Sequence, residues 1–288
     1  MLNKFNLGRL YSSVKLINSI VKSKNNSVTI LNYHAIPDGD IDNFGLQIEW
    51  VKTNYKIISP QDFQDFLKGT FNINKHAVLI TFDDGFLSSY LASQRFLNVL
   101  DIKALFFIPS IFVTEINEDW KKIISNNFYL GRLGLEKISD SFKPMSHAQI
   151  QTLINQGHTI GGHTHSHCDI SEITSDEKLK KEILDPITIF ANKFKIKLDN
   201  FAFPFGRINH INKYSFKKIT SNYAFCFSNI RGSNYSMTSH FAIKRQTVSP
   251  DMPIKYLGFI LEGGLDFYWR DHVRKLDTLA KNSVTNID

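Results

Sequence analysis

Val78 to Gly85 reads VLITFDDG, and the fold turns on this stretch. Its apolar run suits a strand buried on both faces, as parallel strands covered by helices are. The run ends abruptly in Asp83, Asp84 and Gly85. Two adjacent carboxylates at the end of a buried strand cost desolvation and mutual repulsion unless a metal ion, a cation or protonation offsets them. In α/β barrels the C-terminal strand ends are where catalytic residues collect, and the pair fits that position. The plain alternative is an Asp-Gly turn with both carboxylates in water.

Outward from this stretch, further strands are expected at Val28–Tyr33, Ala104–Ile108, Thr159–Gly162, Phe201–Phe205, Tyr223–Phe227 and Phe241–Val248. Helical periodicity falls between them at Phe86–Leu100, Ser146–Gln156 and Asp176–Phe194, with Ser146 as N-cap and Gly157 as a stop. The βαβα rhythm predicts a parallel sheet, open or closed into a barrel. No GxGxxG or GxxxxGK[ST] turn follows any strand, which removes the usual nucleotide-binding reason to prefer the open form. Residues 114–143 break the rhythm and read as an insertion near the substrate.

The chain has 288 residues, 42% of them hydrophobic, enough for one substantial core. Cys168 and Cys226 are far apart and form no CxxC pair, so neither a disulfide framework nor a thiolate metal site is expected. The net charge of +7 comes with 24 Phe and 10 Tyr in strand-like segments and no recognised nucleic-acid motif, so no nucleic-acid partner is expected. Before Asp38 the chain has no acidic residue, and Leu7, Leu10, Val14, Ile17 and Val21 recur at helical spacing. Residues 1–26 are therefore expected to form a basic amphipathic helix, packed on the barrel or lying on an anionic membrane. No apolar run spans a bilayer and no secretory leader is recognised, so a cytoplasmic or peripheral membrane location is expected. The expected divisions are this helix, a catalytic barrel at 27–250 and a helical extension at 251–288.

Gly161 to His167, GGHTHSH, packs three of the 10 histidines into five positions. His163 and His167, four apart, can converge on one ion if they share a helical turn, with His165 directed elsewhere. With a carboxylate from the strand end they would make a hydrolytic metal site. TFDDG followed by HTHSH, with FPFG at Phe203–Gly206, resembles the polysaccharide deacetylases of the carbohydrate esterase class, from about Asn32 to Val248. The resemblance implies a distorted, incomplete (β/α) barrel of about seven strands and hydrolytic N-deacetylation of N-acetylated amino sugars. It implies Asp83 as general base, Asp84, His163 and His167 as ligands of a divalent metal, and the backbone N–H of Phe205 as oxyanion donor. Zinc is expected first, with cobalt, nickel and iron also compatible. Tyr33 and Pro204 are expected in the substrate cleft, and Trp120 and Trp269 could also stack on sugar rings.

Two departures from the commonest layout stand out. The C-terminal Leu-x-Leu-His that normally supplies the general acid has FILE at Phe259–Glu262 as its nearest match, without a histidine. His34, in LNYHAI, is expected to take that role, which resembles the circularly permuted biofilm-polysaccharide deacetylases. Ala202 replaces the arginine that orients the base, and Arg245 is a candidate substitute. The rival readings are an amidohydrolase or phosphoesterase built on His163 and His165, and a non-catalytic glycan-binding domain of the same fold. The favoured substrate is a surface polysaccharide, an oligosaccharide or a lipid-linked glycan.

Overall fold

The structure is a computed structural model and describes residues 24–114 and 119–284. Its centre is one parallel sheet of eight strands: β1 (Val28–Tyr33), β2 (Lys56–Ile57), β3 (Ala77–Phe82), β4 (Leu105–Ile108), β5 (Thr159–Gly162), β6 (Asn200–Ala202), β7 (Phe225–Phe227) and β8 (Gln246–Thr247). Seven of them follow the order β7-β6-β5-β4-β3-β1-β8, and the short β2 pairs with the start of β3. The sheet curls into an open half-barrel. Its ends approach through the segment before β8, where Ile243 makes an isolated bridge to Phe227. This is the incomplete barrel expected from the sequence.

Strand alternation divides the core in two, because successive side chains point to opposite faces. Ile30, Leu79, Phe107, Phe225 and Phe227 pack together in the sheet's concavity. Leu31, Tyr33, Ile80, Phe82 and Phe106 pack on the other face against helices such as Ile41–Asn54. Asn32 and Asp83 share the inward parity of Ile30 and Leu79, so they form a polar layer at the top of the concavity. Register then aligns the strand ends: Tyr33 pairs with Phe82, and the next residues, His34 and Asp83, become neighbours.

Helix His147–Asn155 starts as expected, with Ser146 and Gln149 in a reciprocal capping box, and Gly157 (φ 83) follows it. The helices expected at 86–100 and 176–194 each contain a π-turn, at Ser93–Leu97 and Lys180–Leu184. The second has an identifiable cause. Pro186 has no N–H to give the Glu182 carbonyl one turn back, and that carbonyl instead accepts the His165 N–H at 3.0 Å. A helix defect thereby anchors the histidine loop.

Three strands are shorter than expected by two residues or more. The segment 201–205 stops pairing at Ala202 because Pro204 has no N–H and Phe205 is left-handed (φ 59). Tyr223 ends the helix before β7, and only Gln246 and Thr247 of 241–248 pair with β1. Helices Ile254–Leu261 and Arg270–Val284 contribute Leu257, Ile260, Leu261, Leu276 and Ala280 to the outer core. Most of the helix expected at 1–26 lies outside the described residues. Among the described residues, no helix is long and apolar enough to cross a membrane.

Candidate active site

The functional side chains stand where β1, β3 and β5 end. His34 follows β1, Asp83 and Asp84 follow β3, and His163 follows β5. The turn after β3 runs through two consecutive left-handed residues, Asp84 (φ 75) and Gly85 (φ 67). A Cβ at Gly85 would come within 2.8 Å of Ile108, so the turn needs glycine for space as well as conformation. Its sharp reversal sends the adjacent carboxylates into different surroundings. Thr164 (φ 60), His167 (φ 58) and Phe205 (φ 59) are also left-handed, and such conformations in non-glycine residues concentrate at functional sites.

Asp83 is fully buried and gripped from the concavity. Arg245 donates Nη1 to Oδ1 at 2.7 Å and Nη2 to Oδ2 at 2.8 Å, a two-point clamp, and Asn32 Nδ2 donates to Oδ2 at 2.8 Å. Arg245 is itself fully buried over the Phe107 ring, with Nε on the Ser228 carbonyl. Burial alone would raise the Asp83 carboxyl, but the Arg245 charge, aided by His163 and His34, holds it well below the usual carboxylate range. Arg245, the candidate partner of Asp83, is therefore in direct contact with it.

Asp84, His163 and His167 converge. His163 Nδ1 lies 2.8 Å from the Ala202 carbonyl and His167 Nδ1 lies 3.3 Å from that of Asn127. A carbonyl only accepts, so each Nδ1 carries the proton and each Nε2 presents a lone pair. Both lone pairs face Asp84 Oδ1, 3.4 Å from each, and that buried oxygen has no hydrogen-bond partner. Burial lowers His167 to about 4 despite the Asp84 charge, which keeps it neutral near pH 7. Burial pushes the Asp84 carboxyl up, while His163, His34 and His167 bring it net down, so it is ionised there. Three acceptors aimed at one point are mutually unsatisfying unless a cation sits among them. Ligands about 2.0–2.1 Å from a tetrahedral ion stand about 3.4 Å apart, so the set fits a divalent metal.

The histidines converge without sharing a helical turn. Residues 163–167 form a turn whose left-handed Thr164 and His167 bring the imidazoles together. Glu182 holds this turn: one oxygen accepts the Ser166 N–H and the other its hydroxyl, both at 2.9 Å. His165 points away, with Nδ1 2.8 Å from Ser110 Oγ, so His163 and His165 do not form a ligand pair.

Asp83, Asp84, His163 and His167 line a cleft of about 480 Å³ with Phe205, Asn229 and Trp269. His34 lies on its open side, about one-third exposed, with Nε2 3.9 Å from Asp83 Oδ2. The Phe205 ring packs edge-on to His167 at 4.9 Å, and its N–H meets no acceptor among the described residues. The insertion expected near the substrate reaches the cleft through Phe128, Tyr129 and Phe142, and Phe128 stacks on His167 at 4.1 Å.

Two expected cleft residues are elsewhere. Tyr33 is fully buried, with its hydroxyl on Gln47 Oε1 at 2.8 Å, because its strand parity is opposite to that of Asn32. Pro204 is buried behind Phe205 and does not line the cleft. Trp120 packs in the apolar cluster that also holds Phe86 and Phe128 of the cleft wall, but does not itself line the cleft. Asn32, Glu182, Arg207 and Arg231 were not singled out as site residues from the sequence. Parity along β1 was the available signal for Asn32; the others required tertiary contacts.

The polysaccharide deacetylase family profile matches residues 72–224, just over half of the chain. YxkH of Bacillus subtilis (strain 168), whose name assigns it to the polysaccharide deacetylases, is 23% identical over 239 residues, spanning 81% of this chain and 75% of that protein. Among solved structures, the Streptococcus pyogenes deacetylase PplD in complex with acetate aligns with a TM-score of 0.62 and 19% identity over 82% of this chain and 99% of its own. The de-N-acetylase from Aggregatibacter actinomycetemcomitans aligns at 0.63 and 14% identity, over 81% and 99%. The matched span holds both carboxylates and both imidazoles at the heart of the cleft, and the chain belongs to the polysaccharide deacetylase family.

Proposed function

We propose that this deacetylase hydrolyses the acetamide of an N-acetylated amino sugar in a surface polysaccharide, an oligosaccharide or a lipid-linked glycan, in a metal-dependent reaction. The observation that carries the reading is the convergence of three acceptors, Asp84 Oδ1 and the Nε2 atoms of His163 and His167, beside an arginine-clamped carboxylate. A divalent ion held there, zinc first and cobalt, nickel or iron next, would supply Lewis-acid polarisation and a water more acidic than bulk water.

The other roles belong to the chain. Asp83, kept ionised and aimed by Arg245 and Asn32, takes the proton of the attacking water. The Phe205 N–H donates to the oxygen that gains charge as the carbonyl becomes tetrahedral. His34, on the open side of Asp83, gives a proton to the departing amine. Acetate and a free amino sugar result. The non-catalytic reading drew on Ala202 and the missing C-terminal histidine; the Arg245 clamp on Asp83 and the position of His34 beside it support the catalytic reading instead. The lipid-linked substrate and a peripheral membrane position draw on residues 1–23, outside the described residues, and on the family resemblance. Equal activity with and without residues 1–25, and no vesicle binding by either form, would remove both.

The direct test is acetate release from N-acetylglucosamine oligomers by metal-stripped protein, with and without added zinc or cobalt. Release that needs metal and is lost in Asp83→Asn is expected. A protein that neither binds metal nor releases acetate would overturn the reading.

A further inference from the structure

The cleft's outer wall carries charge that the deacetylation chemistry does not use. Arg231 lies on it, half-buried, with Nη1 donating to Gln246 Oε1 at 3.0 Å and Nη2 to the Thr247 carbonyl at 3.3 Å. Both acceptors are neutral, and three of the five guanidinium N–H groups are left over. Asp266 is the nearby carboxylate, but its oxygens are taken by Lys24 at 3.3 Å and by Gln246 Nε2 at 2.8 Å. Burial lowers the Arg231 pKa, offset only in part by Tyr256 and Asp266, as for a cation short of countercharge. Arg207, exposed, lines the same cleft, and no carboxylate lies within ion-pair distance of it among the described residues. The cleft's own carboxylates are already committed, Asp83 to Arg245 and Asp84 to the point it shares with the two imidazole lone pairs, where a divalent ion fits.

A neutral glycan gives a desolvated guanidinium nothing to neutralise it. An anion does, since the planar fork of arginine matches carboxylate and phosphate oxygens two at a time. We infer that the cleft takes an N-acetylamino sugar bearing an anionic group, anchored by Arg231 with Arg207, while Trp269 offers a ring face to the sugar. The inference rests on the deacetylase reading for the acetamide end and on the arginines for the charged end. Phosphate on the sugar and a neighbouring uronate share this chemistry.

The test compares three probes on the metal-loaded protein: N-acetylglucosamine 1-phosphate, a glucuronate-containing N-acetylglucosamine disaccharide, and neutral di-N-acetylchitobiose. Acetate-release kcat/KM and calorimetric binding are measured for each. At least one anionic probe is expected to be preferred about tenfold or more, the worth of one charge-assisted pair. That preference should shrink about tenfold in Arg231→Gln and be kept only in part in Arg231→Lys, which restores the charge without the two-point fork; the probe that shows it identifies phosphate or uronate. Equal use of all three, or a preference untouched by Arg231→Gln, would overturn the inference. If no probe releases acetate but an anionic one binds in an Arg231-dependent way, the deacetylase reading falls and the anion site stands. If neither release nor Arg231-dependent binding occurs, both fall.

Discussion

Strands β3 and β5 each run from a histidine to a site residue, and their two ends make opposite use of buried polar groups. At the N-terminal ends, His76 precedes β3 and His158 precedes β5. His158 has both nitrogens engaged: Nδ1 accepts the Ala104 N–H at 3.1 Å and Nε2 meets Asn98 Oδ1 at 3.0 Å. His76 Nε2 meets Thr29 Oγ1 at 2.8 Å, and its ring packs edge-on to Tyr55. At the C-terminal ends, each imidazole has one nitrogen satisfied and the other aimed at an oxygen that cannot donate. Burial lowers His158 and His167 alike to about 4, so a shifted pKa does not separate structural from functional histidines. The partner of the second nitrogen does.

The largest expected effect breaks the comparison outright. His163→Ala should abolish stoichiometric metal binding and acetate release, whereas His158→Ala should retain metal and lose about 1–3 kcal/mol of stability by leaving its partners unsatisfied. Metal analysis and denaturant titration of both variants check this; metal lost from the second variant as well would erase the distinction. Asp83→Asn should keep the metal and cut turnover by about 10²–10⁴-fold, the usual worth of a positioned base. His34→Ala should cut it about 10²-fold with metal retained. Full turnover in the His34 variant would reassign the proton donor.

Smaller effects sharpen the same contrast. Glu182→Gln removes the charge that holds the Ser166 turn, and metal affinity should fall about 10–100-fold, as when a ligand's supporting partner is lost. Turnover should return at saturating metal, which separates positioning from catalysis. The smallest effect concerns the other strand ends. Burial, aided by Lys24 and Lys103, lowers His76 to about 3 and His158 to about 4, from an ordinary 6.5. Below pH 6.5 the unfolded chain therefore binds more protons than the folded one, and stability falls as pH drops toward 4. By pH 5 the loss should be on the order of 1 kcal/mol per histidine, read as a lower denaturation midpoint than at pH 7. A midpoint unchanged between pH 7 and 5 would show that these rings are not held neutral.

How much of this was legible beforehand depends on the range of the interaction. Asp83, Asp84 and His163 could be placed from VLITFDDG and GGHTHSH because a strand's burial, its end and the residue after it are local properties of a few neighbours. The capping box at Ser146 was legible for the same reason, being complete within four residues. Arg245 stood only as a candidate, 162 residues from its partner Asp83 in sequence. Tyr33 was misplaced because nearness in sequence was taken for nearness to the cleft, when a period of two puts it on the opposite face from Asn32. The shape of the histidine turn is not legible in GGHTHSH because it is imposed by Glu182 and by Pro186's missing N–H, neither of which belongs to the motif.

The sequence by itself determined the strand-and-helix rhythm, the carboxylate pair at a strand end and the imidazoles able to join it, since these follow from residue type and short spacing. Only the tertiary structure decided which buried cation faces which carboxylate, which nitrogen of each histidine is left open and which arginines are left without countercharge. Those depend on hydrogen-bond directions and desolvation set by groups far apart in the chain, and they acquire values only when the sheet curls and brings its strand ends to one cleft.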